Sequence, residues 1–298
     1  MNRLYFRKIK NFIFLGLISL SSLFIIIPLS ILLVFLISKG LHGLTWSFIT
    51  ELPKPAGEMG GGIVHALLGT IWILSLASFI SIPIGILGGV FLSEYGEGFL
   101  ANTLRYSADL MTGVPSIVIG IFTYALIVIP MKSFSALAGA IALSLIMLPT
   151  IIRSTEEILK LTPKHIRKAA LALGVPRWKV IFFIIVKGNI STLFTGIILA
   201  ISRATGETAP LLFTAFGNMY LSSSWKEPMA TLPVQIYNYA ISPLENWQNQ
   251  AWSGALLLII LILILNICAR LISGRFDVGH GPKFIFMKLR KKWTSKSF

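Results

Sequence analysis

Apolar residues along the chain gather into long unbroken runs, not into the alternating or one-faced patterns of soluble strands and helices. At 1.5 Å per helical residue, a hydrocarbon core of about 30 Å needs roughly 20 predominantly apolar residues. Runs near 12–38, 66–92, 107–130, 135–152, 188–212 and 251–272 meet that length and predict six transmembrane helices in an all-α membrane protein. Only Met131 to Phe134 separates the third and fourth runs, so these should form an antiparallel hairpin. Gly113, Gly120, Ala138, Gly139 and Ala142 would let its helices approach closely, while Pro115 and Pro149 interrupt it where other groups must satisfy the freed backbone.

The first apolar run, Asn11 to Ser38, follows Arg3, Arg7, Lys8 and Lys10. It is too long for a signal-peptide core and no small-residue cleavage site follows it, so it should remain as a first span. The segment from about Gly40 to His65 holds Pro53-Lys54-Pro55 and Gly60-Gly61-Gly62, which oppose regular helix. This divides the chain into residues 1–65 (stub, first span and loop), a core of 66–272, and a basic tail of 273–298.

Composition agrees with the patterning: 55% of residues are hydrophobic and 12% charged, with a mean hydropathy of +0.82. The net charge of +15 then reports topology before it reports a ligand. Lys and Arg cluster at the start, at Arg105, from Arg153 to Lys187, and from Arg270 to Lys296, whereas Lys39, Lys54, Lys132 and Lys226 are interspersed with acids. The positive-inside rule therefore places both termini and the 153–187 connection in the cytoplasm, and it explains the basic surface without nucleic acid. A single cysteine, Cys268, and four scattered histidines offer neither a disulfide framework nor metal-ligand spacing. No nucleophile–base pair emerges, so no catalytic residue is assigned.

Candidate chemistry sits in Arg203-Ala204-Thr205-Gly206-Glu207, which places opposite charges inside an apolar run. Ionisable groups near a bilayer centre cost roughly 2.5–3.5 kcal/mol each on insertion scales and tend to face an aqueous path or a bundle interior. At i and i+4 the two side chains share a helical face, where they either neutralise each other and fix packing or share an anionic ligand. Gly206 and Pro210 weaken the helix around Glu207, so a gate that breaks and reforms the pair is a third role. Arg153 and Glu156, at the end of the fourth run, either meet a leaving anion or anchor the helix in the interface. The segment 217–250, with Trp225, Trp247, Tyr237 and Tyr239, reads equally as an interfacial aromatic belt or as a docking surface for a soluble partner.

The 153–187 connection is unusually organised. Thr162-Pro163 reads as an N-cap and first-turn proline, a helix follows through Leu173, Gly174 stops it, and Pro176 starts a second helix leading into the fifth span. Ala169, Ala170 and Ala172 carry almost no side chain, which suits close approach by a groove on another protein; a basic amphipathic helix resting on anionic lipid has the same composition.

Lys168-Ala169-Ala170-x-x-x-Gly174 resembles the Glu-Ala-Ala…Gly loop of permease subunits in bacterial ABC importers, departing from it at Lys168 and at Val186-Lys187. That resemblance implies that Lys168, Ala169, Ala170, Ala172 and Gly174 form a coupling helix, between the fourth and fifth spans, that docks on an ATP-binding subunit. Within that family the chain is similar to phosphate permeases of the PstA type. The resembling residues are Gly60-Gly61-Gly62-Ile63 with Gly69-Thr70, Gly113-Val114-Pro115-Ser116, Arg153-x-x-Glu156 and Arg203 to Pro210, spanning about residues 60 to 235. The resemblance implies transport roles for Arg153, Glu156 and Arg203. It also implies a multi-pass subunit of the cytoplasmic (inner) membrane that works with a homologous permease (a heterodimer), two ATP-binding subunits and an extracytoplasmic phosphate-binding protein.

The sequence holds no G-x-x-x-x-G-K-[ST] phosphate-binding loop, so ATP would be used by a partner and no cofactor is expected on this chain. Sulfate or molybdate as cargo, and an ion-coupled secondary transporter with Arg203 and Glu207 as its midplane site, are the competing expectations.

Overall fold

The computed structural model describes residues 2–58 and 60–277, and these are mostly helical, with irregular stretches at 51–58, 60–63 and 213–231. In chain order the helices are α1 (Asn2–Gly40), α2 (Trp46–Thr50), α3 (Val64–Glu94), α4 (Phe99–Gly113), α5 (Ser116–Thr123) and α6 (Ile129–Met131). They continue as α7 (Ala136–Lys160), α8 (Lys164–Ala172), α9 (Arg177–Lys179), α10 (Ile190–Thr205), α11 (Ala209–Leu212), α12 (Leu232–Ala240) and α13 (Glu245–Asp277). Stretches of π-helix join α5 to α6 (Tyr124–Val128) and extend α9 (Val180–Val186). Most of the expected basic tail, residues 278–298, lies outside the described residues.

Four helices are long and apolar enough to cross a membrane unaided, at Tyr5–Gly43, Val64–Glu94, Ala136–Lys160 and Glu245–Leu271. The third and fifth expected spans are bent pairs. Phe99–Gly113 meets Ser116–Met131 at 106°, and Arg177–Val186 meets Ile190–Thr205 at 73°. The span expected near 107–130 starts earlier and turns sharply at the interruption expected from Pro115: residues 107–113 belong to α4, and the chain turns at Val114-Pro115, where a proline bars its predecessor from helix. The run expected to 212 ends at Thr205, because Gly206 and Pro210 interrupt it. Conversely, the fourth span does not stop near 152; α7 carries Arg153 and Glu156 two turns further, to Lys160.

The centre of the bundle is the α3–α7 pair. It packs closely because α3 presents glycines to α7: a β-carbon at Gly85 would sit 2.6 Å from Ile151 Cγ2, one at Gly88 3.2 Å from Ile152 Cγ1, and one at Gly89 would overlap Thr155. Around this seam Ile73, Ala77, Leu143, Met147, Ile151, Ile197, Ala200, Ala204 and Leu211 form the main apolar core. α1 touches the bundle chiefly through its last turns, where Phe35 meets Trp252 edge-on and Ser253 donates to the Gly40 carbonyl at 3.0 Å.

At the end remote from α8, residues 213–240 fold back over the bundle and do not form an open loop. Backbone N–H groups of Ser135, Ala136 and Leu137 donate to carbonyls of Thr214, Glu227 and Trp225, and the Leu232 N–H donates to Thr70 Oγ1 at 2.8 Å. Phe48, Ile63, Ala66, Ala230 and Leu232 close a second cluster there. Tyr239 stacks on Trp247 at 4.8 Å and is buried, which raises its hydroxyl pKa against the opposing bond from Gln235. Trp225 and Tyr237 remain outward and exposed.

Candidate translocation path and docking face

Two sets of charges expected from sequence prove to be separate. α10 begins near α8, where Asn189 Nδ2 donates to Thr162 Oγ1 at 2.8 Å, and Gly196 packs against Ser154 of α7. Arg203 lies seven residues further along α10, so at 1.5 Å per residue it stands about 10 Å beyond the level of Ser154. Arg153 and Glu156 stay near the α8 end. Among the described residues no ion pair joins Arg203 or Glu207 to either of them.

Arg203 occupies the last turn of α10, and Glu207 follows the break at Gly206. Their Nε–Oε1 separation is 4.0 Å, the outer limit of an ion pair and too long for a hydrogen bond. The Arg203 side chain is 51% exposed in the isolated chain and that of Glu207 is 18% exposed. Helix ending at Thr205 carries the carboxylate off the α10 face, so the full i,i+4 pairing expected from spacing is not made. What remains is a guanidinium with most of its donors free, at the open end of an interrupted helix. The interruption is held from outside: Pro210 packs on Gly120, where a β-carbon would lie 2.7 Å from the proline Cα, and Leu211 and Ala215 pack on Gly139.

Arg153 and Glu156 belong to a different arrangement. Glu156 is fully buried and accepts from Arg105 Nε at 2.6 Å, Arg153 Nη1 at 2.8 Å and Lys160 Nζ at 2.6 Å. Arg153 also pairs with Asp109 at 2.9 Å, and Arg105 donates to the carbonyl of Leu92 at 2.9 Å and to Asn102 at 3.2 Å. This clamp ties α3, α4 and α7 together and engages both oxygens of Glu156. Sequence reasoning missed Lys160, which its i+4 spacing from Glu156 could have found; Arg105 comes from another helix and Asp109 carries no local signal.

α8 takes the helix–turn–helix shape expected for the connection, with one change at its start. Pro163 is the N-cap, and the Thr162 hydroxyl is engaged by Asn189 instead of capping. Gly174 ends the helix at φ +76° with nothing within 4 Å of its β-carbon position. Lys168, Ala169, Ala172 and Gly174 are exposed, but Ala170 turns inward against Val90, Leu159, Val180 and Ile185. Burial against the bundle, at 8% exposure, takes Ala170 out of reach of an outside surface.

The sequence profile of the binding-protein-dependent transport system inner membrane component matches residues 81–278. A phosphate transport system permease protein PstA of Yersinia pestis is 43% identical over 90% of this chain and 92% of its own length. The phosphate transport system permease protein PstA 1 of Mycobacterium tuberculosis is 35% identical over 89% of this chain and 89% of its own length. Among solved structures, an inward-facing conformation of the MetNI methionine ABC transporter superposes with a TM-score of 0.58 at 16% identity, over 72% of this chain and 97% of that one.

Proposed function

The chain belongs to the family of binding-protein-dependent transport system inner membrane components, and from that premise we propose that it is the permease subunit of an ATP-driven importer carrying inorganic phosphate across the cytoplasmic membrane. The observation that carries the reading is Arg203, half exposed at the broken end of α10 with its donors unspent. A guanidinium presents a planar fork matched to phosphate oxygens and stays charged at any working pH. Glu207 beside it accepts a hydrogen bond from the proton that phosphate retains near neutral pH; fully ionised sulfate has none to give.

A homologous permease subunit faces Arg203 and closes the path. Two ATP-binding subunits supply the energy, one of them docking on Lys168, Ala169, Ala172 and Gly174, and an extracytoplasmic phosphate-binding protein delivers the anion. The α8 end and both termini are cytoplasmic, as the distribution of Lys and Arg supports. Arg153 and Glu156 serve as an anchor and not as ligands, because Glu156 is buried and paired with three cations and Arg153 is paired with both Glu156 and Asp109.

The test is uptake of labelled phosphate by vesicles carrying this chain with its partner subunits, with and without ATP, with sulfate as competitor and Arg203→Ala as control. Uptake that needs ATP, resists sulfate and is lost in the variant supports the reading. ATP-independent uptake would indicate a secondary transporter, and competition by sulfate would indicate a broader oxyanion path.

A further inference from the structure

The last residue of α3 is a buried carboxylate that the transport reading leaves unused. Glu94, with a side chain 7% exposed, receives a fork from Arg167 of α8: Nη2 to Oε1 at 2.7 Å, Nε to Oε1 at 3.0 Å and Nε to Oε2 at 3.2 Å. Arg167 also donates to the carbonyl of Leu159, the penultimate residue of α7, at 2.8 Å, and to that of Thr162. Arg177, at the start of α9, donates to the backbone oxygen of Glu94 at 2.7 Å and lies 4.3 Å over the Tyr95 ring. Ala170 joins the buried apolar cluster that contains Val90 of α3 and Leu159 of α7.

α8 is therefore fixed to α3 and α7 at several points, and those two helices are fixed to each other by the Gly85–Gly88–Gly89 seam. A bidentate charge-assisted pair sets an angle as well as a distance, which a single contact does not. The link to α10 runs through a bend: the chain turns by 73° around Lys187–Asn189, where Asn189 donates to Thr162 and Leu193 joins the apolar cluster of Ala170.

We propose that Glu94, clamped by Arg167, is the positioning residue that makes α8, α3 and α7 one rigid body, so that displacement of α8 by an ATP-binding subunit turns α3 and α7 as a unit while α10 adjusts at its bend. The proposal rests on the reading of α8 as the docking helix.

The experiment uses the complete transporter in vesicles, with Cys268→Ser throughout because Cys268 is an exposed thiol. Into this background go Glu94→Cys and Arg167→Cys together. The readout is phosphate imported per ATP hydrolysed, before and after joining the two thiols with a short bifunctional maleimide, since an Arg–Glu span exceeds the reach of a disulfide. Unjoined, the double variant should fall at least fivefold in phosphate per ATP; joined, it should regain most of the parental ratio. Glu94→Gln, which keeps the shape but loses the charge, should fall at least twofold and carries the test should the double variant fail to assemble.

A parental ratio in Glu94→Gln or in the unjoined double variant would overturn the proposal, and so would a joined transporter that no longer imports, because the joint would then have to open during the cycle. If the Cys268→Ser parent itself neither retains an ATP-binding subunit nor imports with ATP, the docking reading fails and takes this proposal with it.

Discussion

Arg105 and Glu156 stand 51 residues apart in the chain and meet at 2.6 Å, with the carboxylate almost completely enclosed. Arg153 and Lys160 complete the ring around it. Removing the one buried anion would leave three cations facing one another, and uncovering a buried charge pair in this way costs about 3 kcal/mol. Glu156→Ala should therefore lower the thermal unfolding temperature in detergent clearly, while Glu156→Gln, which still accepts one bond, should lie between the two. An unchanged unfolding temperature with lost uptake would instead move Glu156 from the scaffold to the path.

The clamp marks the limit of what the sequence disclosed. Hydropathy located the spans because a run such as Val64–Glu94 carries no Asp, Glu, Lys or Arg before its last residue. The sequence marked Pro115 and Gly206 as weak points but not the size of the turn at Pro115, and hydropathy began the fifth span at about 188, so the 73° bend between Val186 and Ile190 fell at its edge. The spacing of Arg153 and Glu156 was legible as a candidate anchor, whereas Lys160, four residues on, was passed over although its i+4 spacing was a usable signal. Closure of the clamp by Arg105, and that of Glu94 by Arg167 across 73 residues, depends on helix packing that no local pattern encodes. The same limit applies to Ala170: the Ala-Ala pair was plain, but which of the two faces outward depends on where α8 sits against α3.

Gly69 of α3 lies under the folded-back segment, and a β-carbon there would overlap the carbonyl oxygen of Ala230 and approach Met229 Cγ to 2.8 Å. The obstacle is backbone, which cannot rotate aside, so Gly69→Ala should destabilise the protein by about 1–3 kcal/mol. The displaced strip includes Thr231 and Leu232, whose N–H bonds to Thr70, so proteolytic cleavage between 217 and 231 should become faster than in the parent. A parental cleavage rate would show that the strip is not held at this contact.

Gly174 separates conformational cost from docking. At φ +76° any residue with a β-carbon is strained by about 1 kcal/mol, yet the space around that position is open. Gly174→Ala should keep most of the co-purifying ATP-binding subunit. Gly174→Asp adds to the same strain a charged side chain on the exposed face, so retention should fall at least tenfold in a pull-down from detergent-solubilised membranes. Equal retention in the two variants would place the docking contact elsewhere on α8.

Arg203 and Glu207 divide recognition between charge and proton. A hydrogen bond to a charged group contributes about 1.5–3 kcal/mol, so losing the fork should cost roughly one to two orders of magnitude. Arg203→Lys keeps the charge as a compact ammonium and should lose about tenfold in phosphate uptake, whereas Arg203→Ala should lose a hundredfold or more. Glu207 tests the other half. Glu207→Gln retains an acceptor but adds an amide donor and removes a negative charge, so the group that turned sulfate away no longer repels it. Phosphate uptake should drop by about tenfold, and sulfate, ineffective against the parent, should now compete. Both halves are measured in the same vesicles by titrating unlabelled sulfate against labelled phosphate. A Glu207→Gln variant that imports phosphate normally and still ignores sulfate would leave Glu207 with the gate alone. The 4.0 Å separation from Arg203 would then be the distance across which that gate closes.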